Sequence, residues 1–362
     1  EEARIRLGEL ADAFLFHDRE IVVPCDDSVL RPTAVGPIVL RRARGLVPGL
    51  LELPLSCPEV VLGVGGQEKN TFCLGWERTA ALSQHLGDLD QVATLNYFLL
   101  AVDHWQQLTE RRPTVVAHDL HPAYLSTRYA QELSGVQRLG VQHHHAHIAA
   151  CLAENQRLGP CLGLAFDGTG FGPDGTVWGG EILLATLADY QRLGHLQPVR
   201  LPGGEAAIRE PTRMAWAYLA AAFGEQAEAY AAALELRLEP LAKKILHCQL
   251  ATGWQAPWTT SVGRLFDAVA AAIRVCRRRT YEGQPALELE MAALEGTATV
   301  YPLDQLNKVS GHLDGVGLFR LAVKDYLGGT PPVEVAARFH ATLAALITAA
   351  CRYWREQRHC NL

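Results

Sequence analysis

Four of the fourteen histidines stand within five residues, in the run Val141-Gln142-His143-His144-His145-Ala146-His147. The apolar stretch Ile148-Ala149-Ala150-Cys151-Leu152 follows at once. A chain with this segment has to build a helix that opens on imidazoles and continues into apolar surface. On a helix, positions i and i+4 lie about 40° apart around the axis and share a face. His143 and His147 can therefore grip one cation together. Two imidazoles are half of a typical ligand set, so the remaining donors have to come from elsewhere in the fold. His144 and His145 point elsewhere on the helical wheel and are poorer candidates. Without further donors, the same run is a polar helix start whose rings face solvent.

Composition narrows the class. The chain has 362 residues, enough for two or three domains and a substantial core. Hydrophobic residues make up 49% and charged residues 20%, ordinary values for a soluble globular protein. No apolar run reaches the roughly 18 residues that a bilayer span needs, and Glu1-Glu2-Ala3-Arg4 does not read as a secretory signal. A net charge of −6 argues against a broad nucleic-acid footprint. Arg41, Arg42 and Arg44, and again Arg277, Arg278 and Arg279, form local basic runs that suit a solvated patch or an anion clamp. The nine cysteines are an odd number and none form Cys-x-x-Cys. This argues against a disulfide framework or a zinc ribbon and makes a reducing cytoplasm the expected compartment.

Along the chain, residues 1–46 read as the end of a domain: a helix end over 13–19, then short strands over 21–24 and 38–42 joined by Asp26-Asp27-Ser28. Residues 45–58 carry Pro48, Pro54 and Pro58 and read as a linker. Strands are expected over 60–64 and 71–76, with Gly65-Gly66 between them as a hairpin turn. A helix over 92–111, a buried strand over 115–117 and a helix over 124–133 then lead to the histidine helix. Another apolar strand, 161–166, ends in Asp167-Gly168-Thr169-Gly170, and an Ala-rich helical text begins near Glu210. Strands, then helices, then further strands suggest an α/β protein with two lobes.

Two loops carry candidate chemistry. At the end of its strand, Asp167-Gly168-Thr169-Gly170 is either a plain turn or an anion loop. In the second case the glycines adopt positive φ and bring backbone N–H groups to a phosphate, while the carboxylate binds a metal or a ribose hydroxyl. Gly172-Pro173-Asp174-Gly175-Thr176 reads most simply as a hairpin turn. The helix starting near Gly263-Arg264-Leu265 and the loop Tyr281-Glu282-Gly283-Gln284-Pro285 offer either a phosphate at a helix N-terminus or a mere helix–helix connection. Cys360, near the end of the sequence, reads as an inert thiol. No Gly-x-Ser-x-Gly elbow, Walker A loop or His-Glu-x-x-His pattern is present.

Taken in order, these motifs resemble the hydrogenase-maturation carbamoyltransferase family, HypF. The matching stretches include His17-Asp18-Arg19, Cys25-Asp26-Asp27-Ser28, Lys69-Asn70-Thr71-Phe72, Asp119-Leu120-His121-Pro122, Gln142 with His143 to His147, Trp178-Gly179-Gly180-Glu181 and Tyr281-Glu282-Gly283-Gln284. The resemblance implies a fold and a boundary scheme. Residues 1–46 would end a YrdC-like α/β domain, 47–58 would be a linker, and 59–362 would form a TsaD-like domain of the two-lobed actin/Hsp70/sugar-kinase type, truncated at its C-terminus. It also implies that His143, His147 and Asp167 ligate a divalent metal, iron or zinc, while Gly168, Thr169, Gly170, Gly263 and Gly283 line the site of ATP or carbamoyl-adenylate. The implied partner is HypE, whose C-terminal cysteine accepts the carbamoyl group destined for the cyanide ligands of [NiFe]-hydrogenase. The family's acylphosphatase part, its zinc-binding fingers and the core of its YrdC-like domain are missing from this sequence, as is the family's final metal-binding segment.

Three rival readings carry different consequences. NodU-like O-carbamoyltransferases place the TsaD-like part before the YrdC-like part, opposite to the order here. Threonylcarbamoyl transfer to tRNA would call for a basic RNA-facing surface, against the net charge of −6. The third is a docking module that binds a nucleotide and HypE without catalysing transfer.

Overall fold

The structure is a computed structural model and describes residues 2–306 and 311–358. Cys360 lies outside these residues. The chain opens with helix α1 (Glu2–Leu7) and a hairpin of β1 (Val29–Arg31) and β2 (Ile38–Arg41). The helix end expected over 13–19 is absent. Phe14 and Phe16 stack with centroids 5.6 Å apart; spaced by two, they share one side of an extended chain, not of a helix. No strand forms over 21–24 either; an isolated bridge joins Asp27 to Arg44, and the strand ladder starts just beyond it, where Leu30 sits opposite Val39.

The stretch read as a linker is largely strand. β3 (Leu50–Gly63) pairs antiparallel with β4 (Cys73–Leu82), from Leu50 opposite Ala81 to Gly63 opposite Cys73. Pro54 and Pro58 are tolerated because the register breaks between Glu52 and Cys57 and again before Val61, and because β5 reaches β3 only at residues 61–63. After α2 (Val92–Thr109), the strand β5 (Val115–Asp119), α3 (Leu125–Glu132) and β6 (Gln137–Val141) complete a sheet of order β4-β3-β5-β6. β5 runs parallel to both β3 and β6. Leu62, Phe72, Leu74, Phe98, Trp105 and Val116 fill the core of this lobe.

Helix α4 (His143–Glu154) follows β6 after a single residue, Gln142, whose side chain caps the helix by accepting from the His145 N–H at 2.9 Å. The second lobe contains β7 (Cys161–Phe171), β8 (Val177–Ala185), β9 (Tyr190–His195) and β10 (Val199–Arg200). Helices α5 (Glu205–Arg209), α6 (Pro211–Phe223), α7 (Ala227–Ala233) and α8 (Pro240–Thr252) come next, then β11 (Trp258–Thr259) and α9 (Val262–Ala272). The order closes with α10 (Gln284–Leu294), α11 (Gly315–Leu327) and α12 (Pro332–Arg358). The sheet runs β10-β11-β8-β7 with β9 paired to β8, and the core gathers Tyr218, Leu265, Val269, Phe319 and Phe339. Two lobes, each with its own sheet and core, bear out the α/β reading. By length and composition α12 alone among the described helices passes as a possible membrane span. Val335, Ala336, Phe339 and Leu343 on its inward face belong to the second core.

Helix α4 joins the lobes, and glycines set how close it lies to β7. A Cβ on Gly163 would stand 2.2 Å from Ile148 Cδ1, and one on Gly170 would stand 2.3 Å from the His144 ring. With no side chain at either position, Ile148 and Leu152 seat against the sheet. Burying each of these side chains contributes about 1.5–3 kcal/mol.

Candidate metal centre

The centre lies at the C-terminal ends of β5 and β6. The parallel register puts Asp119 beside Val141, and two residues further on the chain turns into His143 at the head of α4. Strand ends of this kind are where open α/β sheets collect ligands. Asp167 arrives from the other lobe on β7. The expected loop after residue 166 is instead a bulge within the strand: Phe166 pairs with Gly180 and Gly170 with Trp178, so Asp167, Gly168 and Thr169 stand opposite Gly179 alone. A bulge re-aims side chains, and here it presents the Asp167 carboxylate to α4. Neither Gly168 nor Gly170 takes a positive φ, contrary to expectation. Their use is close approach: Gly170 leaves room for His144, and Gly263 in the first turn of α9 would press a Cβ to 3.0 Å from Gly168 Cα.

The geometry brings His143, His147 and Asp167 together, with one ligand atom from each lying within 4.8 Å of the others. His143 Nε2 is 3.1 Å from Asp167 Oδ2 and 3.2 Å from His147 Nε2. His147 Nε2 is 4.0 Å from Asp167 Oδ2. On its other edge, His143 Nδ1 lies 2.7 Å from Asp119 Oδ2. Asp119 in turn accepts from the His121 N–H at 2.8 Å, and Asp167 from the Gly168 N–H at 2.6 Å. A carboxylate behind an imidazole is the arrangement that fixes the tautomer of a metal-ligating histidine. This donor set fits a divalent cation: two ring nitrogens and a carboxylate oxygen converge, and the ring edge facing away from them is already engaged.

The electrostatics agree with a cation site. Burial would lower the His143 pKa, but the hydrogen bonds to Asp119 and Asp167 outweigh it and hold it up at about 9. Burial would raise Asp167, yet His143 and the Gly168 N–H bring it down to about 2. Asp119 is held below the usual carboxylate range, burial being overcome by the His143 hydrogen bond. A proton thus sits where several donors compete for a positive charge. His144 is fully buried and falls to about 4, through burial first and the nearby His143 charge second. Its Nδ1 lies 3.2 Å from Gln142 Nε2, while Nε2 has no hydrogen-bond partner and lies 4.0 Å from Asp167 Oδ2. His145 turns away to the Thr186 carbonyl at 2.9 Å.

Of the expected nucleotide-site positions, Gly168, Thr169, Gly170 and Gly263 gather beside Asp167. Ser261 ties them down: its Oγ reaches the carbonyl oxygens of Asp167 at 2.8 Å and Gly168 at 2.7 Å, while capping α9 at the Arg264 N–H. Gly283 caps α10 at φ +74, and no described contact joins it to Asp167 or the histidines. Its neighbour Glu282 instead reaches Lys69 of the first lobe at 2.9 Å. Sequence reading missed the role of Asp119, although an acid ending the apolar run Val115-Val116-Ala117 carries the same signal that singled out Asp167.

Two sheet-and-helix lobes meeting at a His/His/Asp cluster define a domain of the Kae1-like, TsaD type. Family models agree: residues 56–154 match "HypF Kae1-like domain" and residues 163–362 match "Carbamoyltransferase, Kae1-like Domain, second subdomain". The chain belongs to the HypF carbamoyltransferase family. It is 48% identical to carbamoyltransferase HypF2 of Cupriavidus necator, over 96% of this chain and 46% of that one. It is 43% identical to carbamoyltransferase HypF of Rhodobacter capsulatus, over 97% and 47%. A crystal structure of full-length HypF in the phosphate- and nucleotide-bound form superposes with a TM-score of 0.92 at 36% identity, covering 99% of this chain and 56% of that one. HypF of T. kodakarensis superposes at 0.83 with 30% identity, covering 92% and 45%. The chain spans a little under half the length of these two sequence relatives.

Proposed function

We propose that the protein is a carbamoyltransferase of [NiFe]-hydrogenase maturation that moves a carbamoyl group from carbamoyl-adenylate to the C-terminal cysteine of HypE. Residues 1–46 then close a YrdC-like domain, 47–58 lead from it through the first part of β3, and 59–362 are the TsaD-like transfer domain of a cytoplasmic protein. The observation that carries this reading is the convergence of His143, His147 and Asp167 in a chain of the HypF family.

In this reading His143, His147 and Asp167 hold iron or zinc, which when bound supplies Lewis-acid stabilisation to a phosphate leaving group and a carbonyl oxygen. Asp119 orients His143 so that Nε2 faces the substrate side. Gly168, Thr169 and Gly170, braced by Ser261 and packed on Gly263, offer backbone to the nucleotide phosphates, with Gly283 further along its cleft. The nucleophile comes from the partner. In keeping with that, burial pushes the Cys57, Cys73, Cys161, Cys276 and Cys351 thiols up, away from reactivity.

The test has two arms. The double variant His143→Ala, His147→Ala is expected to lose its bound metal by elemental analysis, and undiminished metal content refutes the ligand assignment. Wild type mixed with carbamoyl-adenylate and HypE is expected to carbamoylate the HypE tail, read by intact mass. Binding of HypE with an unmodified tail would mark a docking module instead.

A further inference from the structure

We propose that Arg264 is an anion-binding residue whose guanidinium grips a phosphoryl group seated over Gly168 at the N-terminus of α9. This rests on the nucleotide reading of the cleft and adds a residue that neither the sequence motifs nor that reading assigned. The Arg264 side chain is only 9% exposed, a costly place for a charge unless it has work to do. Its one charge partner among the described residues is Asp267, one turn along α9, with Oδ2 at 2.8 Å from Nε. Even there the alignment makes no hydrogen bond. Neither Nη atom donates to any described residue, so the planar fork keeps its outer N–H groups for something else.

The fork points at the glycine bulge. A Cβ on Gly168 would have Arg264 Nη2 as its nearest neighbour, at 3.9 Å. The first turn of α9 lies against the same backbone, through Gly263 and through Ser261 Oγ on the Gly168 carbonyl at 2.7 Å. Helix N–H groups, the positive end of the helix dipole and a buried guanidinium therefore converge on one spot beside Asp167. That combination recognises a phosphoryl anion through charge-assisted, bidentate hydrogen bonds. Asp267 holds the arginine from behind and keeps its stem from swinging out.

Isothermal titration of adenosine, AMP and inorganic phosphate against wild type and Arg264→Gln tests this. AMP affinity is expected to fall about 10- to 100-fold, the usual worth of a charge-assisted pair, while adenosine affinity stays within about twofold. A loss confined to inorganic phosphate supports the anion site with free phosphate as its ligand. Equal losses for adenosine and AMP, or none for AMP and phosphate, overturn the proposal. Wild type that binds none of the three sinks the nucleotide reading as well, which separates the two failures. Should Arg264→Gln not fold, Arg264→Lys keeps the charge without the fork and is expected to lose about tenfold for AMP and nothing for adenosine.

Discussion

Asp119 holds the Nδ1 edge of His143 at 2.7 Å, leaving Nε2 for whatever cation the cluster takes. Replacing it with Asn keeps the shape and removes the charge. Asp119→Asn is expected to weaken metal binding about 10- to 100-fold and, because the carboxylate also holds the proton on His143, to lower the melting temperature of the metal-free protein. Competition against a chromophoric chelator measures it, and an unaltered affinity would show that Asp119 does not orient the ring. His144 gives a second test, in pH. Its folded pKa is depressed to about 4 from an ordinary value near 6.5, so between these limits the unfolded chain binds a proton that the folded one refuses. Stability from this ring is complete above about pH 6.5 and drains away as pH falls toward 4, by about 3 kcal/mol in all. Urea melts of metal-free His144→Gln, which keeps a polar partner for Gln142, should show a flatter slope across that window. A slope identical to wild type would mean that His144 titrates normally. The pairing of His143 with His147 was legible from their spacing alone. The burial of His144 was not, because it depends on Gly170, a residue of another strand.

At the scale of elements, the site exists because α4 lies unusually close to β7. Gly163 and Gly170 are two points of close approach, and a side chain at either would collide with Ile148 or His144. Gly163→Ala is expected to push α4 outward, costing about 1–3 kcal/mol of stability. It should also weaken metal binding, since His143 and His147 ride on the helix while Asp167 stays on the strand. Equilibrium unfolding and metal titration on the same variant check both effects; lost stability with unchanged metal affinity would separate docking from site geometry. The helices of 92–111 and 124–133 and the strands of 60–64, 115–117 and 161–166 were readable because period and length agree with their burial. Three elements were misread for reasons of partnership. β3 begins at Leu50 despite its prolines because β4 is there to pair with it. Residues 21–24 are not a strand because no described residue pairs with them. Asp167-Gly168-Thr169-Gly170 is a bulge and not a loop because β8 continues opposite. Pairing partners are distant in sequence, so local pattern does not reveal them.

For the molecule as a whole, the cluster ties two sheets with separate cores. Asp119 ends a strand of the first sheet, Asp167 lies in the second, and the histidines stand on the helix between them. The exposed pair Lys69 and Glu282 also spans the lobes, but a surface ion pair contributes only about 0–1 kcal/mol and weakens with salt. A cation bound by groups from both lobes acts differently, because it binds only the assembled arrangement. At a free concentration about 100 times its Kd it stabilises by about 2.7 kcal/mol. With an unfolding entropy of about 2.1 cal/mol/K per residue, that shifts the melting temperature of a chain this size by about 3–4 °C. A chelator is therefore expected to lower the melting temperature of wild type by that amount and leave the His143→Ala, His147→Ala variant unmoved, by calorimetry at fixed salt. Because the tie is between lobes, the shift should appear in the entire transition. A chelator that moves only one of two resolved transitions would confine the cation to a single lobe and undo this account of how the halves are joined.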